Sequence, residues 1–186
     1  SILVNGENMP VSLIQGGAFR FRKNLQYVKL PNTLQYIVYK AFADCENLDS
    51  VYIPASVKTI SSDAFDDSNL ISINVSPQNP YYDSRDNSHA IIDSKTNELL
   101  VGSASSTIPA SVTKLREKAF SNRKKLKQIT IPKNIRCINL KCFCSCDSLF
   151  RVDFEDNSSS ESNENGLTIA RDAFENCKNL TSIKLP

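Results

Sequence analysis

The sequence is poor in the residues that enzymes use most often for chemistry. Among its 186 residues His89 is the only histidine, and the five glycines are scattered apart from the pair Gly16-Gly17. A catalytic Ser/His/acid or Cys/His arrangement would have to use His89, and no phosphate-binding glycine loop is present. The sequence therefore predicts neither an enzyme nor a bound cofactor.

Long apolar runs are also absent. No stretch of 18 or more apolar residues occurs, so no segment of this chain is expected to cross a membrane. The formal net charge is only +2, and no nucleic-acid-binding module is recognisable. Nucleic acid is therefore the least expected partner.

Positive charge is nevertheless concentrated in one region, the basic strip, defined here as residues 114–141. It contains ten lysines and arginines and a single acid, Glu117, while acidic residues dominate on both sides. One interpretation is an anion-binding strip for a sulfated glycan, an acidic protein segment or, least expected, nucleic acid. The other is a solvated surface whose charges hold neighbouring units together. In the first interpretation the contacts would come from Arg116, Arg123, Lys124 and Lys125.

The dipeptide Ala-Phe recurs along the chain at fixed intervals. The distance from Phe42 to Phe65 is 23 residues, as is the distance from Phe120 to Phe143. A period of about 20–29 residues is typical of leucine-rich-repeat solenoids, in which each unit buries its apolar side against its neighbours. The positions that follow this spacing are Ala18-Phe19, Ala41-Phe42, Ala64-Phe65, Ala119-Phe120, Cys142-Phe143 and Ala173-Phe174.

One unit shows how the repeat is built. The alternation in Val51-Tyr52-Ile53 places the two aliphatic residues on one face of a strand and Tyr52 on the other. Pro54 ends the strand because it has no amide hydrogen, and the apolar positions after it suit a turn or a short second strand. The predicted fold is a mainly β solenoid. It is a right-handed coil with a parallel sheet on the concave face and short turns or strands on the other.

Two intervals break the period. Between Phe65 and Phe120, apolar runs at 90–92 and 99–101 flank a polar turn, which predicts an inserted β-hairpin. We expect it to project from the stack, within an irregular unit spanning about 76–107. Between Phe143 and Phe174 the surplus residues form an acidic, Ser/Asn-rich stretch at about 155–166, which predicts a surface loop. Residues 1–186 are expected to form a single repeat domain, as a fragment of a longer array.

The units resemble the BspA-like branch of leucine-rich repeats. Its pattern, Ile-Pro-x-x-Val-x-x-Ile-x-x-x-Ala-Phe followed by x-x-Cys-x-x-Leu, appears in the units that contain Phe42, Phe65 and Phe120. The resemblance implies a non-catalytic protein-binding domain, found at the cell surface or outside the cell, that adheres to host matrix or cell-surface proteins. It supplies no binding-site motif. The sequence departs from the pattern at Arg22, Ser68, Arg123 and Cys142.

Six cysteines invite separate interpretations. Cys45, Cys146 and Cys177 each lie four residues after the Ala position, so they are expected at equivalent places as small buried residues. The close spacing of the cysteines at 137, 142, 144 and 146 does not match the pairs that bind zinc, and no metal site is predicted. Unpaired thiols favour a reducing compartment. The alternative function is therefore a cytoplasmic scaffold that binds another protein, with the basic strip as a candidate contact surface.

The binding surface is predicted on the exposed side of the parallel sheet. Solenoids commonly bind partners there, and tyrosine and arginine are enriched among residues that dominate interfaces. The alternative is that exposed aromatic residues merely cover neighbouring strands. A carbohydrate-binding site would need aromatic residues aligned in adjacent units, and Tyr27 and Tyr52 occupy different positions. The candidate contacts are Tyr27, Lys29, Tyr52, Lys127, Thr130, Phe150 and Arg151.

Overall fold

A computed structural model of the chain describes residues 2–4, 7–155 and 166–185. Its regular structure is short β-strand, with one 3₁₀ turn at Arg85–Asn87 and no α-helix among the described residues. In chain order the strands are β1 (Ile2–Val4), β2 (Glu7–Met9), β3 (Leu13–Ile14), β4 (Tyr27–Val28), β5 (Tyr36–Ile37), β6 (Ser50–Ile53), β7 (Thr59–Ile60), β8 (Ser72–Val75), β9 (Tyr82–Asp83), β10 (Ile91–Asp93), β11 (Glu98–Val101), β12 (Lys114–Leu115), β13 (Gln128–Ile131), β14 (Cys137–Ile138), β15 (Arg151–Phe154), β16 (Thr168–Ile169) and β17 (Ser182–Lys184).

The strands at the repeat position equivalent to Ser50–Ile53 form two parallel sheets, which we call the main ladders. The first is β4-β6-β8 and the second is β13-β15-β17. Within β6, Val51 and Ile53 are buried while Ser50 and Tyr52 are exposed. The predicted parallel sheet and its inward alternation are therefore confirmed.

A second set of strands follows the turn after each main strand. These short ladders, β3-β5-β7 and β14-β16, are also parallel and contain two residues per strand. In β5, Tyr36 is exposed and Ile37 is fully buried. The short strands β3, β5 and β7 thus each contribute one apolar side chain, Ile14, Ile37 or Ile60, to the core that the main strands also line. In the second short ladder Ile138 is buried, whereas Ile169 is exposed.

The Ala-Phe positions build two columns of stacked phenylalanine rings. The first contains Phe19, Phe42 and Phe65, with ring centroids 5.2 and 5.3 Å apart. In the second, the distance from Phe120 to Phe143 is 4.9 Å and the next ring, one unit further on, lies at 5.3 Å. The spacing matches the separation of neighbouring strands in a sheet, about 4.8 Å. The 23-residue repeat therefore sets the interval at which successive units add a phenylalanine ring to the core.

The predicted hairpin is confirmed, but its predicted projection from the stack is wrong. β10 and β11 pair in antiparallel fashion, and β11 also pairs in parallel with β12. Ile91, Ile92 and Leu99 are fully buried. The hairpin is apolar on both sides, and projecting it would expose that surface to water at a cost of about 25 cal/mol per Å². It lies instead inside the stack, between a first array of units (β3 to β8) and a second array (β13 to β17). Ile91 packs in the core of the first array and Ile92 in that of the second.

Three further segments lie outside the regular repeat units. β1 and β2 form an antiparallel pair at the beginning of the described chain. Most of the predicted acidic loop, residues 156–165, lies outside the described residues. Between β8 and β13 the main sheet is interrupted, because residues 103–108 occupy the intervening position without forming a strand.

Candidate protein-binding surface

The sheet face consists of the outward side chains of the two main ladders and of the residues that directly flank their strands. Tyr27 is 68% exposed, Tyr52 50% and Phe150 42%, although aromatic residues of this size are usually more buried. Alternation along the strands explains the exposure, since every second residue must point away from the core. The other predicted contacts are also exposed, namely Lys29, Lys127, Thr130 and Arg151.

Strand register divides the predicted contacts into two groups. On the first ladder, Tyr27 lies opposite Ser50 and Tyr52 lies opposite Asn74, so the two tyrosines are not aligned. Tyr52 lines an open recess of about 500 Å³ together with neutral polar residues. An aromatic ladder of the kind that a carbohydrate-binding site would need is therefore not formed by these tyrosines.

The second group lies on the second ladder. The backbone N–H of Phe150 donates to the carbonyl of Lys127 at 2.9 Å, so the two residues lie beside each other in neighbouring units. Arg151 lies opposite Gln128, and its Nε is 2.7 Å from an oxygen of Asp153. This pair is half-exposed and contributes about 1 kcal/mol at most. The aromatic and basic groups here are adjacent and accessible.

Sequence reasoning missed a second exposed aromatic group. Tyr36 and Tyr39 belong to the first short ladder and its following turn, and are 40% and 62% exposed. The ring of Tyr39 packs directly against Gly16, where a Cβ atom would overlap it. This contact could have been predicted from the presence of Gly16 one repeat unit before Tyr39. All six tyrosines of the chain lie between residues 27 and 82.

The prediction that Arg123 belongs to a surface strip is wrong. Its side chain is 1% exposed, and its guanidinium donates to the carbonyls of Ser68, Gly102 and Ser121. The position is the one that cysteine occupies in other units, and Ser68 holds the same position in the unit stacked before it. The small side chain of Ser68 leaves room for the large side chain of Arg123. Burial lowers the pKa of Arg123 to about 10, so it stays charged at neutral pH.

Other charges of the basic strip are used to join units. Arg116 lies 2.8 Å from Asp66 and is largely buried with it, and Lys118 lies 3.4 Å from the same carboxylate. Lys125, one of the four predicted contacts, pairs with Asp49 at 3.6 Å in an exposed position. Lys124 remains partly exposed, and its backbone N–H donates to the Asn69 side chain. These contacts favour the interpretation in which the charges hold neighbouring units together.

The cysteines of the repeat frame are buried or half-buried and unpaired. Their thiols donate to the carbonyl of the phenylalanine one unit earlier, at 3.1 Å in each case: Cys45 to Phe19, Cys146 to Phe120 and Cys177 to Phe143. Burial raises the pKa of Cys146 to about 12 and also raises that of Cys45. These thiols are therefore protonated at neutral pH, as their hydrogen bonds require.

His89 contacts Ser72, with 3.2 Å between Nδ1 and Oγ. No carboxylate of the described chain contacts the imidazole to complete a catalytic triad. The described part of the chain also holds no cluster of three metal-ligating side chains. The absence of catalysis and of a metal stays a prediction.

Six copies of the BspA type leucine rich repeat region match this sequence, over residues 8–88 and 92–186. The chain belongs to the BspA-type leucine-rich repeat family. The resemblance drawn from the Ile-Pro and Ala-Phe pattern is thereby confirmed. No curated protein matches the BspA-type chain significantly.

Two solved structures share the BspA-type fold. The pneumococcal vaccine antigen PcpA superposes with a TM-score of 0.72 at 18% identity, over 92% of this chain and 48% of PcpA. A leucine rich cell surface protein from Faecalibacterium prausnitzii gives 0.58 at 17% identity, over 96% of this chain and 64% of that one. The BspA-type chain thus spans about half to two thirds of these structures.

Within residues 2–4, 7–155 and 166–185, no helix is long and apolar enough to span a bilayer.

Proposed function

We propose that this chain is a non-catalytic, surface-located binding domain that recognises a protein partner through its sheet face. The expected partner is a host matrix or cell-surface protein. The observation that carries the proposal is the exposure of Tyr27, Tyr52 and Phe150 on strands whose alternate residues form the core. The backbone of such strands is fixed before binding, so little backbone conformational entropy is lost on association.

The surface location is supported by the family and by one neighbour of known fold. The structure from Faecalibacterium prausnitzii is described as a cell surface protein, and PcpA as a vaccine antigen. Both are similar to this chain in fold. The family resemblance implies the same location and a role in adhesion.

The experiment compares two pairs of tyrosine substitutions. Binding of the purified domain to a panel of immobilised matrix proteins is measured by surface plasmon resonance. Tyr27→Ala with Tyr52→Ala removes the aromatic groups of the first main ladder, and affinity is expected to fall about tenfold or more. The matched control, Tyr36→Ala with Tyr39→Ala, removes two exposed tyrosines of the short ladder and should leave affinity within about twofold.

Equal losses from both pairs would contradict a site confined to the sheet face. Phe150→Ala then tests the second main ladder, where a loss of affinity similar to that of the first pair would extend the site across both ladders. Circular dichroism confirms that each variant is folded. Unchanged affinity in all of these variants would reject the sheet-face site.

A second candidate is a cytoplasmic scaffold that binds another protein. The observation in its favour is that all six cysteines are unpaired, since free thiols at this density are typical of reducing compartments. Titration of thiols in protein isolated from its native source distinguishes the two. Six reactive thiols after denaturation support the scaffold, and disulfides or attached glycans support the surface protein.

A further inference from the structure

Cysteines occupy equivalent positions in two neighbouring units at one place in the stack. We call the position four residues after each Ala position the frame position. In chain order it holds Arg22, Cys45, Ser68, Arg123, Cys146 and Cys177, so only the last two are successive cysteines. The connection between their units is also longer than the repeat, since Phe143 and Phe174 are 31 residues apart instead of 23.

Backbone hydrogen bonds hold these two units at strand spacing. The N–H of Phe143 donates to the carbonyl of Ala173 at 2.8 Å. The N–H of Ser145 donates to the carbonyl of Glu175 at 2.7 Å, and the rings of Phe143 and Phe174 are 5.3 Å apart. Equivalent atoms of the two units are therefore about 5 Å apart. This lies within the Cα separation of about 4.4–6.8 Å that a disulfide requires.

The sulfur of Cys177 lies against the backbone of Cys146. The carbonyl of Phe143 accepts both the thiol of Cys177 at 3.1 Å and the backbone N–H of Cys146 at 3.3 Å. Burial raises the pKa of Cys177, and a hydrogen bond from the N–H of Cys146 to its sulfur opposes that rise. Burial, and after it the neighbouring Cys177, raises the pKa of Cys146 to about 12. The two thiols are thus neighbours in the folded chain.

Register selects this pair among the clustered cysteines. Cys144 lies opposite Glu175, and its sulfur is 3.6 Å from an oxygen of that carboxylate. Cys142 takes the Ala position of its unit and is fully buried in the core. Of the three cysteines in this unit, Cys146 is therefore the one whose equivalent residue in the next unit is Cys177.

Turning the two thiols toward each other leaves no backbone carbonyl without a donor. The carbonyl of Phe120, to which Cys146 donates at 3.1 Å, also accepts from the N–H of Arg123 at 3.3 Å. The carbonyl of Phe143 keeps its hydrogen bond from the N–H of Cys146. A disulfide at this place therefore removes two weak S–H donors and no backbone hydrogen bond.

We propose that Cys146 and Cys177 form a disulfide in the folded protein on exposure to a low-molecular-weight disulfide such as oxidised glutathione. The bond closes the longer connection between the two units, and a crosslink stabilises more when the loop that it closes is longer. It fixes the unit of Phe174 to the unit before it. The inference goes beyond the proposed function, and its tests use no binding partner.

The oxidation proceeds by two thiol–disulfide exchanges. The half-buried Cys177 loses a proton to solvent, and its thiolate attacks one sulfur of oxidised glutathione, so that a mixed disulfide forms and one glutathione thiolate leaves. Cys146 then loses its proton, and its thiolate attacks the Cys177 sulfur and displaces the second glutathione. Both leaving thiolates take up protons. Two protein thiols are thereby oxidised while one glutathione disulfide is reduced to two thiols.

The first test maps the crosslink in the folded protein. The reduced chain is incubated with oxidised glutathione, remaining thiols are alkylated, and tryptic peptides are analysed by mass spectrometry without reduction. Peptide 142–151 is expected to be joined to peptide 172–178, which leaves four of the six thiols to be alkylated. A crosslink that forms only in urea-unfolded protein, or a different pairing, would overturn the proposal.

Two serine variants identify the cysteine that pairs with Cys177. Cys146→Ser is expected to lose the crosslink between the two peptides, because no frame thiol remains opposite Cys177. The matched control, Cys144→Ser, removes the nearby thiol that faces Glu175 and should keep the crosslink. Loss in Cys144→Ser with retention in Cys146→Ser would contradict the assigned pair. Circular dichroism checks folding, and fragmentation of the crosslinked peptide from the unchanged chain assigns the pair if Cys146→Ser fails to fold.

Amide hydrogen exchange measures the effect of the bond on the stack. Oxidation is expected to slow exchange in β17 (Ser182–Lys184) by about tenfold, because the crosslink opposes separation of β17 from β15. The amides of β6, in the first array, are the internal control and should be unchanged. Unchanged or faster exchange in β17 after oxidation would contradict a bond that fixes the two units together.

Discussion

The arrays on either side of the hairpin build their cores in the same way and differ in their surfaces. The first, β3 to β8, and the second, β13 to β17, both stack phenylalanine rings about 5 Å apart. Their outward residues diverge, since the six tyrosines all precede residue 83 and five of the six cysteines follow residue 136. Inward positions are constrained because each must pack on the unit before and after it. Outward positions are free to acquire different partners.

The junction between the arrays shows what happens where the repeat is broken. In regular units a cysteine thiol donates to the phenylalanine carbonyl one unit earlier. At the junction Ser68 and Arg123 hold the two successive cysteine positions, and the arginine reaches carbonyls of three different segments. A larger side chain with several donors thus replaces a thiol where more than one segment must be joined.

The largest expected effect tests whether the two cores are equivalent. Phe42→Ala and Phe143→Ala each remove a fully buried ring from the middle of a column. Each is expected to lower the free energy of unfolding by about 3–5 kcal/mol, through lost burial and the cavity left behind. Urea denaturation measures the loss. Phe21→Ala, at an exposed position, is the control and should change stability by less than about 1 kcal/mol. A much smaller loss for Phe143→Ala than for Phe42→Ala would show that the arrays differ in their interiors too.

The junction arginine is expected to resist replacement by the residue of the repeat pattern. Arg123→Cys restores the frame cysteine, but leaves three carbonyls without a donor and a cavity where the side chain lay. The expected loss in free energy of unfolding is about 3 kcal/mol. Arg123→Met keeps most of the volume and should lose about 1–2 kcal/mol. Full stability in Arg123→Cys would mean that the junction needs no special residue.

A glycine in the hairpin unit is expected to matter for the same junction. A Cβ atom at Gly102 would overlap the ring of Phe120, the first ring of the second column. Gly102→Ala should therefore lower the free energy of unfolding by about 1–3 kcal/mol, because the ring must move. Gly166→Ala is the matched control, since nothing lies within 4 Å of its Cβ position. Thermal unfolding compares the two, and equal stability would contradict a close approach of Gly102 to the ring.

The smallest expected effect is a difference between the two arrays in how the free energy of unfolding depends on pH. Burial raises the pKa values of Cys142 and Cys146 above the ordinary value of 9.0. The folded state therefore keeps protons that the unfolded state loses, so this stabilisation is complete below about pH 9 and declines as the pH rises further. Between pH 8 and 10 the expected decline is about 1 kcal/mol for each thiol.

The Cys142→Ala, Cys146→Ser variant should make this decline less steep, whereas Cys45→Ser in the first array removes only one thiol with a raised pKa. Urea denaturation at a series of pH values supplies the comparison. Arg123 acts with the opposite sign, since its lowered pKa of about 10 makes stability rise above that pH. Measurements below pH 10 therefore avoid most of the opposing contribution of Arg123. An unchanged slope in the double variant would contradict their burial.

Much of the fold could be predicted because its signals are periodic. The 23-residue spacing of Phe42 and Phe65 placed the core, and the alternation around Val51 placed the main strand and the exposed Tyr52. The hairpin was predicted from two apolar runs and a polar turn. The confirmed elements depend on local patterns that repeat along the chain.

The predictions that failed depend on neighbours distant in sequence. The burial of Arg123 requires Ser68, which is 55 residues earlier, and the burial of the hairpin requires an array on each side of it. Tyr39 was missed because the contact that positions its ring is made with Gly16, one unit before. The pairing of Arg116 in the basic strip could not be predicted for the same reason, since Arg116 meets Asp66 only when units stack.

The order of residues by itself determined that units of 23 residues would stack with their Ala-Phe positions inward, because periodic apolar residues can be buried only against equivalent copies. The tertiary structure decided which charged side chains became internal, and where the main sheet is interrupted. Those outcomes depend on the atoms that neighbouring units and the hairpin bring to each side chain and backbone group. No local pattern specifies them, because the partners are tens of residues apart.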